Sequence, residues 1–345
     1  MTKSEQLLSA FSEDYFFKEL VIDDLHFTPE GASEVELADL LINLGDIIIA
    51  IQLKERNSDD QTNNSLLESK WLQKKCKVAK GQVKETLQFI SSGNLPMFQN
   101  RRGQFIALQS DAEVIPLVVF ENDQIDEYPH LLRKHSDTGM DINCMSLTDY
   151  REMCRVLITP VEIVEYLEYR KALYEEHGDI DFMIFDGEDD VLVTKPGKGE
   201  SLVHHFLIEK YGRNETVKQH LFLQLFRNFL HQLQEHTVTT STPDGVYYIL
   251  LFLAHLDRYV ISEFWDRLES TKCDAKKNVT GITRSLRSDI DEYTIVFVAN
   301  GLLHMEDLLP IIRRKANPKQ VLEVIVYWQD EDTFAIDFLY WDDRK

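Results

Sequence analysis

The sequence predicts an α/β (α+β) protein, with a mixed central sheet flanked by helices in its N-terminal part and a second α+β domain behind it. Three observations carry this. Residues 35–56, VELADLLINLGDIIIAIQLKER, are two apolar runs around a Gly–Asp turn. A helix-period segment at 66–91 and a further apolar strand at 114–120 follow. Beyond residue 179 strands and helices alternate again, ending in apolar runs at 293–299, 321–328 and 333–341.

Taken in order, residues 3–20 place Leu7, Leu8, Phe11, Tyr15, Phe16 and Leu20 near helical spacing. Residues 27–34, FTPEGASE, read as a loop, and 35–43 with 46–55 as a β-hairpin turned by NLGD. Both strands are apolar on both faces, which marks a sheet covered on both sides. After the polar loop 57–64 comes the helix at 66–91, with Trp71, Val78, Ala79, Val83, Thr86, Leu87 and Ile90 as its packing stripe. Strands are expected at 104–109 and 114–120, and helices at 147–156 and 160–176, the last opened by Pro160 in a first-turn position. A hairpin at 181–186 and 190–194, helices at 201–210, 214–236, 246–270 and 303–314, and the three C-terminal strands complete the chain. The expected domains are 1–125, a helical extension at 126–178, and 179–345.

The chain has 345 residues, 43% of them hydrophobic, enough to bury a real core. No apolar run approaches the roughly 18 residues of a membrane span, and MTKSEQLLSAFSEDYF carries acids where a signal peptide would not. Cys76, Cys144, Cys154 and Cys273 form no CxxC pair, so free thiols in a reducing, cytoplasmic setting are expected and a zinc site is not. The net charge of −22 argues against a generic nucleic-acid binder. Residues 70–104 oppose that trend, with Lys70, Lys74, Lys75, Lys77, Lys80, Lys84, Arg101 and Arg102 against the single acid Glu85.

The hairpin sets Asp39 on its first strand and Gln52 and Lys54, two apart and so on one face, on its second. With the turn centred near residues 44–45, Asp39 falls across from residue 50, one strand step from Gln52. Such a cluster equips phosphodiester hydrolysis. Asp39 and the Gln52 carbonyl supply hard oxygens for Mg²⁺, and Lys54 orients water or meets developing negative charge. The competing reading is a buried Asp–Lys ion pair, which costs desolvation. Gln82 lies at the edge of the helical stripe, positioned either to reach the cluster or to bond backbone. The lysines beside it are either a phosphate track (Lys74, Lys75, Lys77, Lys80, Lys84) or a solvated helix face.

These residues resemble the PD-(D/E)XK nuclease superfamily. Ala38–Asp39 stands for its first motif, Gln52–Leu53–Lys54 for the second in a QxK form, and Gln82 for the polar residue of the following helix, AKGQVKETLQFI. The family core, α-β-β-β-α-β, can be laid on residues 3–120. The resemblance implies a restriction-endonuclease-like core, a Mg²⁺ or Mn²⁺ cofactor held by Asp39, Gln52 and a helical glutamate, and a nucleic-acid substrate, DNA before RNA. Glu5 is the preferred helical acid, with Glu13, Glu19, Glu34 and Glu36 as alternatives. Ala38 in place of Pro is harmless; Gln52 in place of an acid removes a charge and weakens metal binding. The function implied is a metal-dependent nuclease in host defence or DNA processing. The alternative is a catalytically inactive binding or scaffold protein on a nuclease fold. Residues 179–345, acidic at FDGEDD and carrying Leu-, Phe- and Tyr-rich helices, suggest a protein partner or self-association and no membrane contact.

Overall fold

The computed structural model describes residues 2–29, 33–122, 124–125, 132–134, 139–157, 159–177, 183–186, 191–194, 199–212, 225–226, 228–229, 245–288, 292–301, 305–315, 318–330 and 333–343. The chain forms two compact units, Met1–Thr216 and Val217–Lys345.

The first unit opens with helix α1 (Lys3–Phe16), four residues shorter than its apolar pattern because Phe17 turns to a φ of 69°. Short strands β1 (Val21–Ile22), β2 (His26–Phe27) and β3 (Val35–Glu36) lead into β4 (Leu40–Asn43) and β5 (Ile47–Glu55). The strand expected over 35–43 is therefore broken. Its first two residues pair with β2 in a separate ribbon, and the chain enters the main sheet only at Leu40. Helix α2 (Ser65–Ser92), the ribbon β6 (Phe98–Gln99) with β7 (Phe105–Ile106), and β8 (Glu113–Glu121) follow. Strands β9 (Leu132–Lys134) and β10 (Asp141–Ser146), helices α3 (Leu147–Val156) and α4 (Pro160–His177), the hairpin β11 (Met183–Asp186) with β12 (Val191–Thr194), and α5 (Gly199–Tyr211) complete the unit.

Six strands make its main sheet in the order β1-β4-β5-β8-β10-β9. The outer pairs and β4–β5 are antiparallel; β5–β8 and β8–β10 are parallel. A parallel step needs a crossover, and α2 supplies it between β5 and β8. Leu72, Cys76, Ala79, Val83, Thr86 and Ile90 form the buried line of α2. Val78, expected in that line, is 52% exposed. The line packs on Leu41, Ile48 and Ala50 at one end and on Val118, Phe120, Ile142 and Cys144 at the other. The opposite face is covered by α1, α3 and α4, tied by Ser12 to Tyr150 (2.8 Å) and by Arg170 to the Cys144 carbonyl (3.0 Å). With both faces covered, every residue of β5 from Ile48 to Leu53 is buried.

The second unit holds α6 (Gly245–Ala254), α7 (Arg258–Lys276), β13 (Gly281–Ser288), β14 (Tyr293–Ala299), α8 (Met305–Lys315), β15 (Gln320–Asp330) and β16 (Thr333–Asp342). The single helix expected over 246–270 is two helices. Asp257 caps the second, accepting from the Val260 N–H at 2.9 Å. Most of the helix expected over 214–236 lies outside the described residues. The sheet order is β13-β14-β15-β16, parallel only at β14–β15, where α8 crosses over. Strand β13 escapes the hydrophobic pattern because its edge position leaves it polar, TRS and RS interrupting Ile282 and Leu286. Alternation divides the sheet. Tyr293 and Phe297 meet Phe252 and Phe264 on one face, while Val296, Val298, Val321 and Ile325 meet Leu308 and Ile312 of α8 on the other. Among the described residues no helix is long and apolar enough to cross a membrane.

Glu323 breaks the apolar rule. It lies on the α8 face between Val321 and Ile325, fully buried, and neither carboxylate oxygen has a hydrogen-bond partner. Burial pushes its pKa from 4.5 up to about 7. The folded state therefore resists ionisation that the unfolded chain accepts. Stability is unaffected by this group below about pH 4.5, falls as pH rises toward 7, and then levels, a loss on the order of 3 kcal/mol. Glu323→Gln keeps the shape and removes the charge. Thermal unfolding at pH 8 is expected to shift upward by several degrees in the variant, with the difference vanishing near pH 4.5.

Candidate functional site

Three polar side chains stand on the face of the sheet that α2 covers. The turn that places them is a two-residue one, Gly45–Asp46, closed by the Leu44 N–H to the Ile47 carbonyl at 2.8 Å. Gly45 has a φ of 84°, which glycine adopts without strain. This sets Leu41 against Ala50 and Leu40 against Ile51, so Asp39 stands across from Gln52. The register read from sequence, Asp39 against residue 50, is two residues off because the turn centre lies one residue later. Shifts of two preserve the face, and Asp39, Gln52 and Lys54 do converge.

Lys54 is the hub. Its Nζ donates to Asp39 Oδ2 at 3.4 Å, to Gln52 Oε1 at 3.2 Å and to the Leu53 carbonyl at 2.8 Å. Asp39 Oδ2 also accepts from the Leu53 N–H at 2.7 Å. The Lys54 and Asp39 side chains are only 10% and 12% exposed, and Gln52 is 2% exposed. Asp39 Oδ1 accepts nothing from the described residues and keeps that narrow solvent access. Burial pushes the Asp39 pKa up; the Lys54 charge and the Leu53 N–H pull it back, and the Glu5 charge pushes it up again.

Of the candidate acids, two bear on this cluster electrostatically: Glu5 on α1 and Glu36 on β3. Glu5 affects Asp39 electrostatically, held at this end of the sheet by its neighbour Ser4, whose hydroxyl donates to Glu121. Glu5 also closes a capping box, its carboxylate accepting from the Thr2 N–H while Thr2 Oγ1 accepts from the Glu5 N–H at 3.3 Å. Glu36 is raised by burial first and then by the Asp39 charge, with Glu5 adding to it. Its strand partner His26 is 3.7 Å away. Glu13 and Glu19 are engaged elsewhere, by Arg101 and Arg102, and Glu34 is exposed.

Helix α2 is anchored to the site by Thr86, whose hydroxyl donates to the Leu37 carbonyl two residues before Asp39. One turn earlier lies Gln82, whose Oε1 is buried without a hydrogen-bond partner. At about 100° per residue, Trp71, Lys75, Gln82 and Phe89 share one flank of the helix. Phe89 meets Phe27 at 5.1 Å and Trp71 lies under Arg56 at 5.6 Å, so this flank faces the β4–β5 side. Lys80 and Lys84 occupy the opposite flank, toward β10, and Lys74 and Lys77 the outer face. The basic island is thus not one surface. Only Lys75 of the five lysines shares the flank of Gln82. Arg101 is bound to Glu13 and to Asp23 (3.1 Å), and Arg102 to Glu19 (3.0 Å).

The donor set suits a hard divalent cation that keeps most of its waters. Asp39 Oδ1 is an open carboxylate oxygen, and Gln52 Oε1 has a second lone pair beyond the one used by Lys54. The mutual repulsion of Glu5, Glu36 and Asp39 would be relieved by positive charge. Among the described residues no three His, Cys, Asp or Glu side chains form a metal-holding group.

Lys54→Met should leave Asp39 buried with one backbone donor. Chemical denaturation is expected to show a loss of about 1–3 kcal/mol at neutral pH, largely recovered in the Asp39→Asn/Lys54→Met double variant. Additive losses in that cycle would mean the two side chains do not interact.

Compared with protein-family models, curated proteins and solved structures, the chain matches none.

Proposed function

We propose that the first unit is a divalent-metal-dependent nuclease of PD-(D/E)XK type, hydrolysing phosphodiester bonds, in DNA before RNA. The observation that carries this reading is the meeting of Asp39, Gln52 and Lys54 across the β4–β5 register, beneath α2. The path α1-β1-β4-β5-α2-β8, with β5 and β8 parallel, runs in the order of that family's core and supports the same reading. The orphaned Gln82 Oε1, beside Thr86, adds a polar atom where the resemblance expects one.

A bound Mg²⁺ or Mn²⁺ would polarise the phosphoryl oxygen and acidify a bound water. Asp39 Oδ1 and Gln52 Oε1 would hold the ion. Lys54, released from one of its three acceptors, would stabilise negative charge developing on the phosphate or orient the attacking water. Lys75 would attract the substrate backbone from the flank of Gln82. Neutral Gln52 makes Mn²⁺ the better cofactor, since it binds such ligands more tightly than Mg²⁺.

The second reading, an inactive binding protein, is favoured by one feature: all three Lys54 contacts are satisfied within the protein, as in a purely structural ion pair. Plasmid and single-stranded DNA incubated with Mg²⁺ or Mn²⁺ separate the two. Wild-type cleavage is expected to fall about 10²–10³-fold in Lys54→Ala. Gln52→Glu is expected to improve Mg²⁺-supported cleavage relative to Mn²⁺. Cleavage that survives Lys54→Ala unchanged would overturn the reading.

A further inference from the structure

The second unit has two sheet edges of opposite character. The strand order β13-β14-β15-β16 leaves β13 and β16 outermost. An edge strand shows a row of backbone N–H and C=O groups that can pair with another chain, and proteins blunt such edges with charges, bulges or proline. Strand β13 is blunted. Arg284, Ser285, Arg287 and Ser288 lie along it, and its pairing with β14 shifts between Ile282 and Arg284. Strand β16 lacks these devices over most of its length. Its sequence, TFAIDFLYWD, holds no Lys, Arg or Pro. It pairs with β15 without a break from Trp328–Phe334 to Gln320–Asp342, the irregularity lying at its first residue.

Both faces of β16 are already in use. Phe338 and Tyr340 meet Phe229 (6.1 Å) and Phe252 (5.7 Å) on one face, and Leu339 and Trp341 join the α8 core on the other. The open direction lies in the plane of the sheet, where among the described residues no further strand pairs. Every residue from Phe334 to Asp342 except Phe338 is half-buried rather than enclosed. The side-chain pattern specifies which strand fits beside it. A two-fold axis through Phe338, perpendicular to the sheet, sets a second β16 antiparallel to the first over residues 334–342. Opposed residues then share a face of the sheet. Ala335 lies opposite the partner's Trp341, small against large. Ile336 lies opposite the partner's Tyr340, a favoured pairing of β-branched with aromatic. Asp337 lies opposite the partner's Leu339, so no two carboxylates are directly opposed. An axis through Asp337 would oppose two like charges, and one through Ile336 would shorten the overlap and leave Tyr340 and Trp341 without partners across it.

We propose that β16 pairs with the β16 of a second copy of this chain, joining two four-stranded sheets into one eight-stranded sheet about a two-fold axis at Phe338. The self-complementary pattern favours a second copy over an unrelated extended segment. A single strand pair is a small interface, so the association is weak and depends on concentration. The net charge of −22 on each chain opposes it at low ionic strength, and salt relieves that repulsion. The pairing is independent of any hydrolytic role of Asp39.

Sedimentation equilibrium of the full chain over roughly 1–100 μM, in moderate salt, tests this. A monomer–dimer equilibrium is expected. Ile336→Lys and Ala335→Lys are each expected to weaken it about tenfold or more, because each sets two charges on the shared edge. Ile282→Lys, at an exposed position on the opposite edge, should dimerise as wild type does. Amide hydrogen exchange in the wild-type chain is expected to slow over 333–342, and not over 281–288, as concentration rises. That measurement decides the matter should either β16 variant fail to fold. A monomer at every concentration would overturn the proposal and leave the edge to an extended segment of another protein. A dimer that both β16 variants retain would overturn it too, as would one whose formation leaves exchange over 333–342 unchanged.

Discussion

The register of the β4–β5 hairpin is the constraint on which the first unit depends. Strand β5 is central, antiparallel to β4 on one side and parallel to β8 on the other. Its residues Ile48 to Leu53 are buried, so a one-residue slip would exchange two apolar faces and carry Gln52 and Lys54 away from Asp39. The two-residue turn at Gly45–Asp46 fixes that register from one end. The Leu53 N–H to Asp39 Oδ2 bond fixes it from the other, where regular pairing has already ended. The same carboxylate that marks the candidate site is therefore also a strand-end lock. A single residue satisfies both roles because its two oxygens divide the work: Oδ2 holds the backbone and Lys54, and Oδ1 is left over.

The connection out of β5 is held by a second buried acid. Glu68, fully buried in the first turn of α2, accepts from Arg56 (3.1 and 3.2 Å), from Asn122 Nδ2 (2.8 Å), and from the N–H and hydroxyl of Thr62 (3.0 and 3.1 Å). The Asn122 bond leads the causes that hold its pKa down to about 2. Glu68 thereby gathers the end of β5, the loop, the start of α2 and the end of β8 into one knot. Glu323 in the second unit is its opposite: a buried carboxylate with no donor, raised rather than lowered. The contrast shows that the environment, not the residue type, decides whether a buried acid stabilises or strains a fold.

Much of this architecture was legible in the sequence where periodicity is strong. The pattern over 66–91 locates α2 to within a residue at each end, and the apolar runs at 293–299 and 333–341 become β14 and β16. The cluster of Asp39, Gln52 and Lys54 was also legible, because a register error of two residues does not change which face a side chain occupies. The failures share a cause. Strands β10 and β13 carry Asp, Asn, Arg and Ser at positions whose polarity depends on neighbours distant in sequence: Asn143 under α4, Arg284 beside Asp274 at 2.9 Å. Arg101 and Arg102 counted as free positive charge in sequence, yet their acid partners lie some eighty residues earlier. Local composition cannot see pairing at that range. Val78 failed for another reason. An apolar residue on a long helix need not face the core, and the stripe is defined by the line through Ala79 and Val83 beside it.

Strand β8 links the two polar features of the first unit. At its start Pro116 withholds an N–H, pairing with β10 begins late, and Asn143 is left with an unused acceptor. At its end Phe120 lies against Lys54, and Glu121 takes the Ser4 hydroxyl and gives its carbonyl to the Arg56 N–H at 3.0 Å. Between these ends Ile115, Leu117, Val118 and Val119 are buried, with no polar side chain to connect them. A rigid apolar strand of this kind transmits little between its ends unless it moves as a body, and six paired strands oppose that motion.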